Sequence, residues 1–181
     1  MIQRLTGEYF EQVYELLEKS FPIDEYRTYE EQKELLLREE YRVYGMINQE
    51  NDQSRGQLQA FIALWECRNF TFIEHFAVNP VYRNTGMGAA ILQEILPKLP
   101  GPVCLEVELP QNELASRRIG FYQRNGFILN DYPYMQPPIS KGRNPLPLKI
   151  MTWGKGISEE QFQRIQGALY REVYGVRDDK M

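Results

Sequence analysis

A chain of 181 residues is long enough for one sizeable core and too short for two comfortable domains, so a single domain over residues 1–181 is expected. With 43% hydrophobic and 25% charged residues, the composition argues against a disordered chain. The net charge of −4 argues against a nucleic-acid partner, and no apolar run reaches the length that crosses a membrane. The start, "MIQRLTGEYF", lacks the apolar run of a signal peptide. Cys67 and Cys104 lie in apolar, strand-like runs, as reduced thiols of a cytoplasmic protein do, although two cysteines can also pair.

In chain order, Phe10, Val13, Leu17 and Phe21 recur at helical spacing after Thr6, a candidate N-cap, and Pro22 ends that helix. "YEEQKELLLREE" predicts a second, shorter helix. The period then changes. "YRVYGMI" and "LQAFIALWE" read as strands joined by the polar turn "NQENDQSRG". "FTFIEHFAV" is a third strand, stopped at Asn79 because a residue before proline is pushed out of helical geometry. Gly88, Ile91, Leu92, Ile95 and Leu99 recur at three and four and predict a helix that frays at Pro97. "PVCLEVEL" predicts a buried strand, "ELASRRIGFYQRNG" a helix closed by Gly126, and "FILNDYPY" a strand. "PPISKGRN" is a loop, and "PLPLKIMTW" is the last strand. "SEEQFQRIQGALYREVYG" is the last helix, opened by a capping box of Ser158 and Gln161. Antiparallel strands followed by a strand–helix–strand–helix–strand passage predict a mixed α/β sheet.

The hexapeptide "RNTGMG", Arg83 to Gly88, stands where a strand feeds a helix. A helix start carries unpaired N–H groups and the positive end of the helix dipole. Glycines remove side chains that would keep an anion away, and Arg83 adds a permanent cation. The residues alone leave two readings open: a seat for a phosphate or diphosphate, and a turn that tolerates glycine for packing. Two familiar phosphate loops are set aside, because no Lys follows Gly88 and Ile91 stands where a third glycine belongs.

The spacing of Arg83-Asn84-Thr85-Gly86-Met87-Gly88 resembles the acyl-CoA loop of the GNAT N-acetyltransferase superfamily, Arg/Gln-x-x-Gly-x-Gly/Ala. The preceding "IEHFAVNPVYR" looks like the family's central strand and its proline turn. "RRIGFYQRNGF" resembles its second signature, an Arg-rich helix ending Phe-Tyr-x-x-x-Gly-Phe. The similarity covers roughly residues 57 to 130 by motif and the flanks by element order. It implies an α/β (α+β) single domain with a mixed, mainly antiparallel sheet flanked by helices and splayed central strands. It also implies acetyl-CoA as cosubstrate, with no metal. The diphosphate would lie on the main chain of Thr85, Gly86, Met87, Gly88 and Ala89, with Arg83 or Asn84 helping. The pantetheine arm would pair with Phe76, Ala77 and Val78. Tyr122 would protonate the departing thiolate.

Acetyl transfer to an amine further needs a base, because a free ammonium titrates near roughly 10.4. Glu74 is the candidate. Strand alternation puts Phe72, Glu74, Phe76 and Val78 on one face and Ile73, His75 and Ala77 on the other. The competing reading pairs Glu74 with an arginine from a helix. Tyr122 likewise shares a helical stripe with Ala115 and Ile119, so it also reads as a core aromatic. His75, the only histidine, reads as structural. Glu106 and Glu108 either hold the substrate's ammonium or face solvent. Cys104 has no mark of an activated nucleophile, so direct attack in a ternary complex is expected, with an oxyanion donor near Val78. The sequence departs from the family pattern at Ala115, where many members carry Asn, and Asn112 reads as an N-cap. Gly120 inside the same helix marks either a close approach or a kink, and the proline-rich loop after residue 136 reads as a lid or a plain connector. The acceptor is expected to be a primary amine of a small molecule or peptide, favoured as a cation by the acidic balance. The other readings are a module that binds acyl-CoA without turnover and a structural or partner-binding domain in which "RNTGMG" is only a turn. Oligomeric state stays open, a homodimer included.

Overall fold

The computed structural model describes residues 1–49 and 56–176. Of the turn expected over 48–56, residues 50–55 lie outside the described part. Seven strands, β1 (Gln3–Arg4), β2 (Tyr41–Asn48), β3 (Gln57–Cys67), β4 (Phe70–Val78), β5 (Val103–Glu108), β6 (Phe127–Gln136) and β7 (Leu146–Trp153), form one sheet in the order β1-β2-β3-β4-β5-β7-β6. Every neighbouring pair is antiparallel except β4–β5. The two-residue β1 carries too little pattern to be read from sequence.

The central strand β3 reads as an unbroken apolar run because both its faces are covered. Phe61, Ala63 and Trp65 face α1 (Phe10–Ser20), α5 (Glu159–Ala168) and the 3-10 turn Leu35–Leu37 that follows α2 (Tyr29–Glu34). Ala60, Ile62 and Leu64 face α3 (Met87–Ile95) and α4 (Glu113–Arg124). The result is three layers, helix–sheet–helix.

Several helix starts follow their expected chemistry. Ser158 and Gln161 make the predicted capping box, and Asn112 Oδ1 accepts from the Ala115 N–H at 2.8 Å. Thr6 departs from expectation: its hydroxyl donates to Glu8, and a 3-10 turn (Gly7–Tyr9) intervenes before α1. Thr28 and Glu31 form an unanticipated capping box on α2. Gly126, at φ 87°, supplies the left-handed residue just past α4. α4 runs through Gly120 as one helix, and a Cβ there would meet only the end of the Arg124 side chain. After α5 the chain makes a π turn, Leu169–Val173, which carries Val173 and Tyr174 toward the sheet. Both cysteines are free thiols; burial pushes Cys104 up and, with Glu172 adding, Cys67 up to about 12.

Two irregularities in the strands aim side chains. On β4, His75 opposes Ala63 and Ile73 opposes Leu64, which leaves Glu74 without a partner on β3: a β-bulge. On β6 the register slips between Asn130 and Tyr134, around Pro133, which has no N–H for the ladder.

Candidate active site

β4 and β5 are paired only at Thr71–Val103, Phe72–Cys104 and Ile73–Leu105. Beyond that they part and open a cleft of about 710 Å³. From Glu74 to Val78 the β4 edge on this side has no strand partner among the described residues. The Glu74 side chain is 2% exposed while the residue as a whole is partly exposed, so its main chain is what faces the cleft. Such an edge presents N–H and C=O groups that an amide-bearing ligand can satisfy.

At the far end of this edge the chain turns into α3. Asn84 (φ 61°) and Gly86 (φ 83°) are both left-handed, and Gly86 is the N-cap. The N–H groups of Thr85, Gly86, Met87, Gly88 and Ala89 meet no acceptor among the described residues; the first satisfied one is Ala90, bonded to Gly86 O at 3.0 Å. A Cβ on Gly86 would find nothing within 4 Å, so the space above these amides is open. Arg83 spends its Nε on the Val78 carbonyl at 3.0 Å, and with Asn84 it lines the cleft. Bare amides, a helix start and a guanidinium fit a diphosphate. The two glycines differ in what they do. A Cβ on Gly88 would stand 3.2 Å from Phe121 and 3.7 Å from Phe76, so this glycine seats α3 against α4 as well. Gly86→Ala is therefore expected to cost about 1 kcal/mol for its left-handed backbone, to leave the fold intact, and to weaken coenzyme A binding measured by calorimetry.

Tyr122 lies on the cleft wall formed by α4, with its ring edge-on to Phe121 and Phe127 at 5.3 and 5.5 Å. It is 8% exposed, and its hydroxyl has no hydrogen-bond partner among the described residues. Burial pushes it up to about 12, so it stays a phenol at neutral pH. Ring in the core and hydroxyl free in the cleft combine the two readings of this residue.

Glu74 is corrected. The bulge breaks the simple alternation: Phe76 and Val78 pack with the α3–α4 face, whereas Phe72 packs with the other. Glu74 and His75 both turn toward the α1–α2 side. Arg27 Nη1 donates to Glu74 Oε1 at 2.7 Å, its Nη2 to the Val173 carbonyl at 3.3 Å, and its guanidinium lies 5.8 Å over Trp65. Burial opposes the charge on Glu74, but Arg27 and then His75 outweigh it and hold the carboxyl down to about 2. So weak a base does not take a proton from an ammonium. The arginine-paired reading is the one the geometry favours, with Arg27 just ahead of α2. His75 Nε2 lies 2.7 Å from the Glu25 carbonyl, which only accepts, so Nε2 carries a hydrogen; Nδ1, 3.4 Å from Glu74 Oε2, helps hold that carboxyl down only when it carries one too, and Arg27 is the main cause.

Glu106 and Glu108 are both engaged by other side chains, although the Glu108 side chain stays 31% exposed. Glu108 is paired with Arg118, and Glu106 accepts from Tyr134 and Tyr174. Glu25 lines the opposite wall; burial, with Glu108 adding, pushes it up to about 7. Glu25, Tyr134 and Tyr174 escape sequence reading, because nothing local marks residues that meet across such separations. Among the described residues no group of His, Cys, Asp or Glu is arranged to hold a metal, and no helix is long and apolar enough to cross a membrane.

The family model described as "Acetyltransferase (GNAT) family" matches residues 10–127. The chain belongs to the GNAT acetyltransferase family. A solved acetyltransferase assigned to that family from Bacteroides thetaiotaomicron is 36% identical, with a TM-score of 0.85, covering 98% of this chain and 99% of that one. The ribosomal-protein-S18-alanine N-acetyltransferase of Escherichia coli, at 17% identity and TM-score 0.64, covers 88% of this chain and 96% of its own. Arabidopsis thaliana NAA60 in complex with acetyl-CoA, at 13% identity and TM-score 0.66, covers 84% and 97%. These last two share the fold. No curated protein sequence gives a significant match. In this chain the fork between β4 and β5 and the start of the loop at Arg83 and Asn84 border one continuous cleft.

Proposed function

We propose that this GNAT acetyltransferase moves an acetyl group from acetyl-CoA to the primary amine of a small molecule or peptide, by direct attack within a ternary complex. The observation that carries this reading is the continuity of the cleft. Unpaired amides from Thr85 to Ala89 lead along the bare edge of β4 to a fork where carboxylates gather. Arg83, Asn84 and the loop amides hold the diphosphate. The main chain of Phe76, Ala77 and Val78 holds the arm, with the Arg83–Val78 bond yielding to it. The cosubstrate supplies an activated acetyl group; the chain supplies aim and proton management. A main-chain N–H near Val78 faces the carbonyl oxygen, and Tyr122 protonates the departing sulfur. Neither cysteine takes part as a nucleophile, since both thiols are held far from ionisation. That an acetyl-CoA complex exists for a protein of the same fold supports the choice of donor.

Coenzyme A titrated into the protein in a calorimeter is expected to bind, and Arg83→Ala to weaken it. Thiol release from acetyl-CoA with a panel of amines is expected to exceed the rate without amine. Binding with no amine-dependent thiol release leaves the non-catalytic acyl-CoA module; no binding at millimolar coenzyme A removes both.

A further inference from the structure

The inner end of the cleft is roofed. The loop between β6 and β7 is fastened at three points to the segment between α1 and α2 and to the first turn of α2. Ser140 Oγ donates to Glu31, the Asn144 main-chain and side-chain amides donate to Asp24 at 2.9 and 3.1 Å, and Arg143 Nε donates to the Tyr26 carbonyl at 3.3 Å. Gln136 and Ile139, at the base of this loop, are buried and line the cleft. The whole cleft, at about 710 Å³, has to take both the acyl-carrying arm and the acceptor. That is within the roughly 300–1,000 Å³ of a pocket for one small ligand. A peptide chain would have to leave this end of the cleft past the loop, which its hydrogen bonds to Asp24, Tyr26 and Glu31 hold in place.

Beneath the roof, Glu106 is the first β5 residue past the last β4–β5 pair, so it stands at the fork itself. Tyr134 donates to one of its oxygens and Tyr174 to the other, the latter at 2.7 Å. The slipped register around Pro133 and the π turn after α5 are what bring these two phenols in. Glu74 is committed to Arg27 and Glu108 to Arg118, whereas no Lys or Arg comes within ion-pair distance of Glu106 among the described residues. A partly buried carboxylate with two neutral donors and no cation lacks its counter-charge.

We propose that Glu106 binds the ammonium group of a small cationic amine and takes its proton, and that the fastened loop restricts the acceptor to molecules that fit whole within the cleft. This rests on the transferase reading above. The step balances. Glu106 accepts one ammonium proton, and the freed nitrogen lone pair forms the C–N bond. The C–S bond breaks with its electron pair on sulfur. Tyr122 gives that sulfur a proton and recovers one from the new amide nitrogen, and Glu106 releases its proton to solvent.

The groups that face Glu106 are Tyr134 from β6, Tyr170 and Tyr174 from the C-terminal turn, Glu74 and His75 from β4, and Cys104 on its own strand. Burial pushes Glu106 up to about 7 against the two tyrosine bonds. It is thus half-protonated near neutrality, and an arriving cation ionises it.

The test is amine binding without any thioester, followed by calorimetry at pH 7 in buffers of different ionisation enthalpy. The panel holds small mono- and dications beside hexapeptides with free amino termini. A small cationic amine is expected to bind with net proton release and the hexapeptides not to bind. Glu106→Gln is expected to weaken the amine at least tenfold and abolish the release. Tyr174→Phe, which keeps the carboxyl and serves where Glu106→Gln melts early, is expected to move the acid limb of kcat/KM to higher pH, since it removes a bond that lowers Glu106. Equal binding and proton release in Glu106→Gln, an unmoved limb in Tyr174→Phe, hexapeptides binding as well as small amines, or a panel in which no small amine binds would each overturn the proposal. Retained coenzyme A binding and amine-dependent thiol release in those cases leave the transferase reading standing; their absence condemns that reading instead.

Discussion

Arg27→Ala is expected to lower the stability of the fold by about 3–5 kcal/mol, because it leaves the Glu74 carboxylate in the interior without its cation. For a chain of this size the loss corresponds to a fall in Tm on the order of 10 °C. Arg27 also anchors the Val173 carbonyl and lies over Trp65, so three elements loosen together. The pH dependence carries the signature. Glu74 is held at about 2 against an ordinary 4.5, so its contribution is fully present above pH 4.5 and is lost as pH falls toward 2. The gap between parent and Arg27→Ala should therefore narrow through that window in melting scans. Glu74→Gln separates structure from chemistry. It should lose stability while the folded fraction keeps the acid limb of its pH–rate profile; loss of that limb would restore Glu74 as the base. Glu25 and Glu106 run the other way. Both are raised to about 7, so they favour the folded state most below about pH 4.5 and withdraw that support as pH rises through 7.

Tyr122→Phe is expected to reduce kcat by roughly 10²–10³, the span of a positioned general acid. Its KM for acetyl-CoA should barely change. The removed hydroxyl has no hydrogen-bond partner among the described residues, so Tm should hold or rise slightly. Stopped-flow thiol release with saturating amine measures the effect. A thioester whose leaving thiol is more acidic should recover part of the loss, since such a thiolate needs less help to depart. Unchanged turnover in Tyr122→Phe removes it from the mechanism and leaves it a core aromatic.

Much of the fold was legible in the chain. β4 runs over Phe70–Val78, the run read as a strand, and α3 ends at a 3-10 turn containing Pro97. The loop before α3 was legible too, as two glycines behind an arginine, because the unpaired amides of a helix start are a local property. Gly88 was read in part: its second task, making room for Phe121 of α4, depends on a residue 33 positions away. The face assigned to Glu74 was wrong for a definable reason. Side chains on a strand alternate with period two, so one unpartnered residue transfers what lies beyond it to the opposite face. No local pattern announces that residue.

The sequence by itself determined what short-range forces determine: the order and type of most elements, most of their caps, the glycine turn with its unpaired amides, and the apolar faces that pack against the sheet. Tertiary structure alone decided the chemistry at the fork. Arg27 meets Glu74 across 47 residues, and Glu106 meets Tyr134 and Tyr174 across 28 and 68. A carboxyl's proton affinity is set by burial and by charges within a few ångströms, and those neighbours are chosen by the packing of distant segments. Identical side chains at positions 74 and 106 therefore end near 2 and near 7.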